Sequence, residues 1–113
     1  MGLQNTWAKV LGFVLLIAGV LGFFQGEMLL NAFGVNALHN LVHVISGIVG
    51  IWAGFGAASF AQNYNKWFGV IYLAIAILGF LNVLAFLNVN AADNWLHLVI
   101  GIVSAGIGFW AKD

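Results

Sequence analysis

The sequence predicts an all-α integral membrane protein, an up-down bundle of four transmembrane helices built from two tandem parallel helical-hairpin repeats. Composition is the first observation that predicts this class. Hydrophobic residues make up 64% of the 113-residue chain and charged residues only 5%, whereas a soluble domain carries roughly 25% charged residues. Four apolar stretches and an internal repeat are the second and third observations. Together they indicate that lipid surrounds most of the chain.

Short polar segments separate the four apolar stretches, which we interpret as transmembrane spans. The spans are predicted at residues 7–24, 38–60, 67–87 and 95–110. About 20 helical residues cross a hydrocarbon core of about 30 Å, so the first and last spans are at the short end. The breaks between spans are too short to hold another domain. Residues 1–113 are therefore predicted to form a single domain.

The charged residues predict the orientation of the bundle. Lys9, Lys66 and Lys112 fall on one face, while Glu27 and Asp93 lie in turns on the opposite face. The positive-inside rule then places both termini and the middle loop in the cytoplasm, with the chain in the cell membrane. A cleavable signal peptide is not expected, because the first apolar stretch lacks a small-residue cleavage site.

The second half of the chain resembles the first. Residues 36–49 align with residues 90–103 so that His43 matches His97, an offset of 54 residues, and both segments contain Asn-x-x-x-Asn-x-x-His-x-x-x-Gly-Ile-Val. This predicts two repeats, at residues 7–60 and 64–112. Because each repeat contains two spans, the copies should share one orientation and a pseudo-twofold axis along the membrane normal.

The second span of each repeat carries small and polar residues on one helix face. At steps of three and four residues, these are Asn40, His43, Gly47, Gly50 and Gly54, and then Asn94, His97, Gly101, Ser104 and Gly108. Residues at such steps share a face of a helix. Small residues let helices approach closely, and lipid-facing positions should be bulky and apolar, so both stripes are predicted to face protein.

A layer of amide and imidazole groups is predicted in the outer half of the bundle. Its members are Gln25, Asn40, His43, Asn82, Asn94 and His97. Polar groups at this depth need partners, because lipid offers none. One interpretation is structural, in which each histidine bonds to a neighbouring helix and fixes its register.

Two other interpretations give the layer a function. In the first, His43 and His97 are the axial ligands of a haem or another tetrapyrrole, and Gly47 and Gly101 leave room for the ring. In the second, the layer is part of a proton or ion path, since ionisable groups inside membranes are often functional. No Asp, Glu or Arg lies within a predicted span, so no continuous relay is visible.

A metal site is the weaker hypothesis for the same end of the molecule. Its candidate ligands for Zn or Cu are His39, His43, Asp93 and His97. However, His39 and Asp93 fall at helix starts, where Asp is a common capping residue and His is expected to be wetted. We therefore favour capping over ligation there. Asn36 and Asn90 are likewise expected to be turn or cap residues.

Several classes of function are excluded or poorly supported. The chain has no Cys, so disulfides, thiolate metal sites and thiol catalysis are impossible. Its formal net charge is zero, without a basic run, so nucleic acid is not an expected partner. An enzyme is not expected, because the sequence offers no Ser/His/Asp set, paired carboxylates or phosphate-binding loop.

The doubled hairpin resembles the domain of unknown function 4383 family of small four-span membrane proteins. The residues that carry the resemblance are Asn36, Asn40, His43 and Gly47, followed by Asp93-Asn94-Trp95-Leu96-His97-Leu98. The resemblance covers most of the chain. It implies the fold and the membrane location, and it implies no activity.

The expected function is non-enzymatic. We expect a small accessory or scaffolding protein of the lipid bilayer that packs as a homo-oligomer or against a larger membrane complex, with no cofactor favoured. The alternatives are a haem-binding or electron-transfer protein that uses His43 and His97, and a minimal channel or proton-conducting unit.

Overall fold

A computed structural model describes residues 2–112, which form a bundle of four α-helices. The helices are α1 (Leu3–Phe24), α2 (Ala37–Phe55), α3 (Ala58–Phe80) and α4 (Ala91–Trp110). Strands β1 (Met28–Leu29) and β2 (Phe33–Gly34) form a small antiparallel hairpin between α1 and α2. A single 3₁₀ turn (Ala85–Leu87) lies between α3 and α4. The predicted all-helical bundle is confirmed, with the β1–β2 hairpin as an unpredicted addition.

The closest helix pairs are α1 with α2 and α3 with α4. Glycines make these approaches possible: a Cβ on Gly12 would lie 2.8 Å from the Gly50 carbonyl carbon, and one on Gly69 would lie 2.7 Å from the Ala105 Cα. Such distances are too short for a side chain, so only glycine fits. Both predicted stripes are buried along their whole length, from Asn40 to Gly54 and from Asn94 to Gly108.

The predicted boundary between the second and third spans is wrong. Helix α2 ends at Phe55 and α3 begins at Ala58, so the connection is the two residues Gly56 and Ala57. The polar residues 62–65, predicted to be a turn, lie inside α3. They are helical because their side chains bind other helices: Gln62 Nε2 donates to the Gly108 carbonyl (3.0 Å) and Tyr64 Oη to the Ser46 carbonyl (3.0 Å). Helix α3 then ends at Phe80 rather than at residue 87.

Among residues 2–112, three helices are long and apolar enough to cross a membrane: α1, α2 and α4. Helix α3 has 23 residues and is therefore long enough, but its first half is polar. Gln62, Asn63, Asn65 and Lys66 all lie there. Its role as a fourth span remains a prediction.

Amide side chains close the end of the bundle at which the chain starts and finishes, which we call the terminal end. Asn5 Nδ2 donates to the carbonyls of Gly54 and Gly56, both at 2.9 Å, and so satisfies the last turn of α2. Gln4 Nε2 donates to the Ile107 carbonyl (2.7 Å) at the end of α4. Free carbonyls at helix ends need such partners. The β1–β2 hairpin and the 3₁₀ turn cover the opposite end, which we call the loop end.

Candidate metal centre

All three histidines of the chain converge at the loop end of the bundle. His39 and His43 lie one turn apart on α2, and His97 approaches from α4. One ring nitrogen from each lies within 4.8 Å of those of the other two. The ring centroids of His39 and His43 are 4.4 Å apart, and those of His39 and His97 are 5.8 Å apart. We call these three residues the histidine cluster.

The first turn of α2 fixes His39. The Asn36 side chain accepts a hydrogen bond from the His39 backbone N–H (2.9 Å) and caps the helix. The His39 ring Nδ1 lies 3.0 Å from the Leu87 carbonyl oxygen. A carbonyl can only accept, so Nδ1 donates the proton, and Nε2 keeps its lone pair. Histidines that bind a metal through one ring nitrogen commonly donate the N–H of the other nitrogen to a carbonyl in this way.

The rings of His43 and His97 are buried and make fewer hydrogen bonds than the ring of His39. They are 8% and 4% exposed, and Nδ1 of each has no hydrogen-bond partner within the described residues. Tyr72 of α3 lies beside His97, with ring centroids 5.4 Å apart. Buried polar atoms without partners are rare in proteins and call for an explanation at each site.

Asn40 and Asn94, also predicted for the polar layer, are buried one turn before His43 and His97. Asn40 packs on Gly22 of α1, and Asn94 packs on Gly79 of α3. A Cβ on either glycine would overlap the amide oxygen of its asparagine, so the two hairpins use the same close contact. Neither Oδ1 atom has a hydrogen-bond partner in residues 2–112.

Gln25 and Asn82 do not join this layer, which corrects the predicted set. Gln25 follows the last residue of α1, is exposed, and accepts a hydrogen bond from the Leu30 backbone N–H (2.8 Å). Asn82 is exposed just beyond α3 with φ of 61°, a left-handed conformation that Asn tolerates. The prediction placed both residues at the depth of the layer. Helices α1 and α3 instead pass the layer, with Gly22 at Asn40 and Gly79 at Asn94, so Gln25 and Asn82 lie beyond it.

His39 was expected to be exposed to water, and the structure shows that this is wrong. Asp93 was expected to cap a helix, and the structure confirms this. His39 is 3% exposed and not wetted, because the 3₁₀ turn lies against it. Asp93 belongs to a capping box: its carboxylate accepts from the Asn90 backbone N–H (2.9 Å), while Asn90 Oδ1 accepts from the Asp93 N–H (3.0 Å). Capping by Asn36, Asn90 and Asp93 is therefore confirmed. Asp93 does not belong to the group of residues whose ligand atoms lie within 4.8 Å of one another, which is formed by the three histidines.

A family model described as domain of unknown function (DUF4383) matches residues 5–110, which include the whole histidine cluster. The chain belongs to the DUF4383 family. This confirms the resemblance noted from the Asn and His motifs. No curated protein and no solved structure is significantly similar to this DUF4383 protein.

Two small cavities border the histidine cluster of the DUF4383 protein. One, of about 80 Å³, is lined by all three histidines together with Ser46 and Tyr72. The other, of about 180 Å³, lies under the β1–β2 hairpin and touches His43 and His97 but not His39. Sites for drug-sized ligands usually measure about 300–1,000 Å³. These cavities are therefore suited to an ion or to a very small molecule.

The ring nitrogens of the cluster are more widely spaced than the ligands of a bound metal ion. Three imidazole nitrogens around Zn²⁺ at about 2.0–2.1 Å would be about 3.3 Å apart in a tetrahedral arrangement. The present spread of up to 4.8 Å therefore requires a contraction of about 1.5 Å. Side-chain rotation about χ angles can supply movements of that size within a cavity.

Proposed function

We propose that this DUF4383 protein is a multi-pass protein of the cell membrane that binds a transition-metal ion through His39, His43 and His97. One observation carries the proposal: every histidine in the chain points its ring into one buried cluster with a ring-nitrogen spread of 4.8 Å. Buried imidazoles are costly unless they have partners. A shared metal ion would give all three a partner at once. The proposed activity is binding, and no enzymatic reaction is included.

The membrane location rests on apolar surface. Helices α1, α2 and α4 meet the length and hydropathy needed for spans, and large apolar side chains are exposed around the bundle. We include α3 as the fourth span, with its polar first half at the membrane surface. Lys9 and Lys66 lie at the terminal end, so the positive-inside rule favours cytoplasmic termini.

The ligand types favour zinc or copper. Imidazole suits Zn, Cu, Ni and Fe, whereas carboxylate-rich sites suit Mg and Ca. Three histidines also leave a fourth position of a tetrahedral ion open to water or another small ligand. Asp93 lines the larger cavity together with His43 and His97, so a carboxyl group lies at the same end of the bundle as the proposed cation.

Metal titration tests the proposal directly. Purified protein in detergent is stripped of metal and titrated with Zn²⁺ and then with Cu²⁺ by calorimetry. We expect one ion per chain, and at least tenfold weaker binding for His43→Ala and His97→Ala. Gln25→Ala is the matched control, because Gln25 is a polar residue at the same end but outside the cluster. Equal binding by the wild type and a variant that combines His43→Ala with His97→Ala would refute the proposal.

A tetrapyrrole is less well supported than an ion. Gly47 and Gly101 were expected to leave room for the ring, but Gly47 packs on Leu16 and Gly101 packs on Leu73. The two cavities, of about 80 and 180 Å³, are also small for a macrocycle. Conduction is less well supported too, because a cluster of apolar residues, including Ala8, Leu11, Leu15 and Ala53, is buried between the two ends of the bundle.

An accessory or scaffolding role is the second candidate, and the outer face of α4 favours it. Trp95, Val99 and Ile102 are each at least 55% exposed along one face. Gly106 continues that face, and a Cβ there would meet no described atom within 4 Å. Small residues at such positions allow close helix association in lipid.

Crosslinking in native membranes tests the accessory role. We expect dimers or a larger complex that Gly106→Leu abolishes, while Ala74→Leu, at another exposed position on α3, leaves it intact. A protein that stays monomeric and without partners in native lipid would exclude this role.

A further inference from the structure

The larger cavity, which we call the hairpin cavity, has walls of two kinds. Its volume is about 180 Å³, and most of it is lined by aliphatic side chains and Phe33, including Val14 and Ala18 of α1 and Ile100 of α4. Four further lining residues carry hydrogen-bonding groups, and we call them the polar wall: His43, Tyr72, Asp93 and His97. The cavity is thus an apolar chamber lined in part by four side chains that carry hydrogen-bonding groups.

The size of the chamber indicates the size of an occupant. An apolar cavity of about 150 Å³ stays dry and binds benzene. At about 180 Å³, the hairpin cavity has room for one six-membered ring with a small substituent. The rings of Phe33 and Tyr72 line it, and aromatic rings pack favourably against one another edge-to-face.

The polar wall indicates what the substituent should be. Four side chains with hydrogen-bonding groups line the cavity, and two of them, His43 and His97, are more than nine-tenths buried. A neutral imidazole nitrogen either donates or accepts. A hydroxyl group can do both, so it matches either tautomer of these rings, which a carbonyl or an ammonium group does not.

The position of the cavity favours entry from the bilayer. It lies between α1 and α4, which touch each other much less than the members of either helix pair. Val14 and Leu96 form part of its wall and are 52% and 40% exposed on the outer surface of the bundle. In the proposed membrane location, that surface faces lipid.

We propose that the hairpin cavity binds a small phenol-like molecule, a single aromatic ring with one hydroxyl group that hydrogen-bonds to the polar wall. This inference uses the membrane location of the proposed function but not its metal ion. His39 does not line the hairpin cavity, so binding of a phenol and binding of a metal can be separated by substitution.

The test uses phenol itself, with metal-free protein in lipid nanodiscs and the rise in Tm as the measure of binding. Wild type and Ala18→Leu are compared, because a leucine at position 18 fills the cavity. Ala74→Leu is the matched control, since Ala74 is exposed and lies outside the cavity. We expect phenol to raise the Tm of wild type and control, with at least tenfold weaker binding to Ala18→Leu.

Toluene tests the polar wall, because it has the ring of phenol without the hydroxyl group. We expect it to bind about two- to tenfold more weakly than phenol, the ratio that one hydrogen bond provides. Equal binding of the two compounds would overturn the proposed ligand class. An equal response of wild type and Ala18→Leu would show that phenol only partitions into lipid, and would overturn the site.

Two further variants guard against misfolding of Ala18→Leu and distinguish phenol binding from metal binding. Ile100→Phe fills the same cavity from α4, so it replaces Ala18→Leu if that variant does not fold, and it should also lose phenol binding. His39→Ala should lose metal and keep phenol. Failure of metal binding in the wild type with phenol binding intact would refute the proposed function alone, whereas the reverse would refute only the phenol site.

Discussion

The terminal end and the loop end of the bundle both bury polar side chains, but the hydrogen bonding of these side chains differs between the two ends. At the terminal end, Gln4, Asn5 and Asn65 donate to backbone carbonyls or to each other, and only Asn65 Oδ1 lacks a partner in the described chain. At the loop end, Asn40, Asn94 and two histidines each keep a buried atom without one. These four residues occur at matching positions in the two hairpins.

This difference indicates that the buried polar groups at the two ends of the bundle have different roles. A buried donor that finds a carbonyl lowers the free energy of the fold, and amides at helix ends do so efficiently. A buried group without a partner raises it, and such exceptions are often found at functional sites. The terminal end therefore holds the helices together, whereas the ligand site that we propose lies at the loop end.

The largest expected effect is the gain in stability on adding zinc. Ligand binding to the folded state alone contributes about 2.7 kcal/mol when the free ion is at 100 times its Kd. We expect this gain in the free energy of unfolding for the wild type and its loss in His43→Leu. Thermal unfolding in detergent with and without Zn²⁺ measures it. A similar gain in both proteins would show that the ion acts elsewhere.

Leucine substitutions at the two ends should differ in the absence of metal. Asn65→Leu removes a donor to the Gln4 carbonyl and Oε1, which lie 3.0 and 2.8 Å away, and should cost about 2 kcal/mol. His43→Leu removes an atom that has no partner among the described residues, and should change the free energy of unfolding by less than about 1 kcal/mol. Chemical unfolding of metal-free protein compares them. A larger loss in His43→Leu would reverse the proposed division between the ends.

The smallest effect should come from the cap that positions His39. Asn36→Ala removes the acceptor for the His39 backbone N–H and should destabilise the fold by about 1 kcal/mol. Asn36 Nδ2 also donates to the Phe86 carbonyl (2.7 Å), beside the Leu87 carbonyl that binds the His39 ring. We therefore expect metal affinity to fall as well, by about tenfold. Calorimetry on the folded variant checks this, and Asn36→Asp, which keeps the cap, should retain most of the stability.

Local pattern in the sequence predicted much of the fold. The buried stripes follow from residue spacing, and the caps at Asn36 and Asn90 follow from residue type at a helix start. The duplication remains a prediction, supported by the matched packing of Asn40 on Gly22 and Asn94 on Gly79.

The errors arose where the deciding partner is distant in sequence. Gln62 and Tyr64 resemble turn residues until their acceptors, at Gly108 and Ser46, are known. His39 resembles an exposed residue until the Leu87 carbonyl covers it. The convergence of His39 with His97 likewise depends on how the two hairpins dock. The sequence did predict this convergence as the weaker hypothesis, with His39, His43, Asp93 and His97 as candidate ligands of one metal site.

The hydrogen bond from His39 to the Leu87 carbonyl joins the two halves of the chain. His39 and His43 belong to the first half, whereas Leu87 and His97 belong to the second. During synthesis, the first hairpin emerges with two of the proposed ligands and an unfixed His39 ring, and the third proposed ligand follows only with the last helix. Retention of the proposed metal ion would then report that both halves have been made and joined.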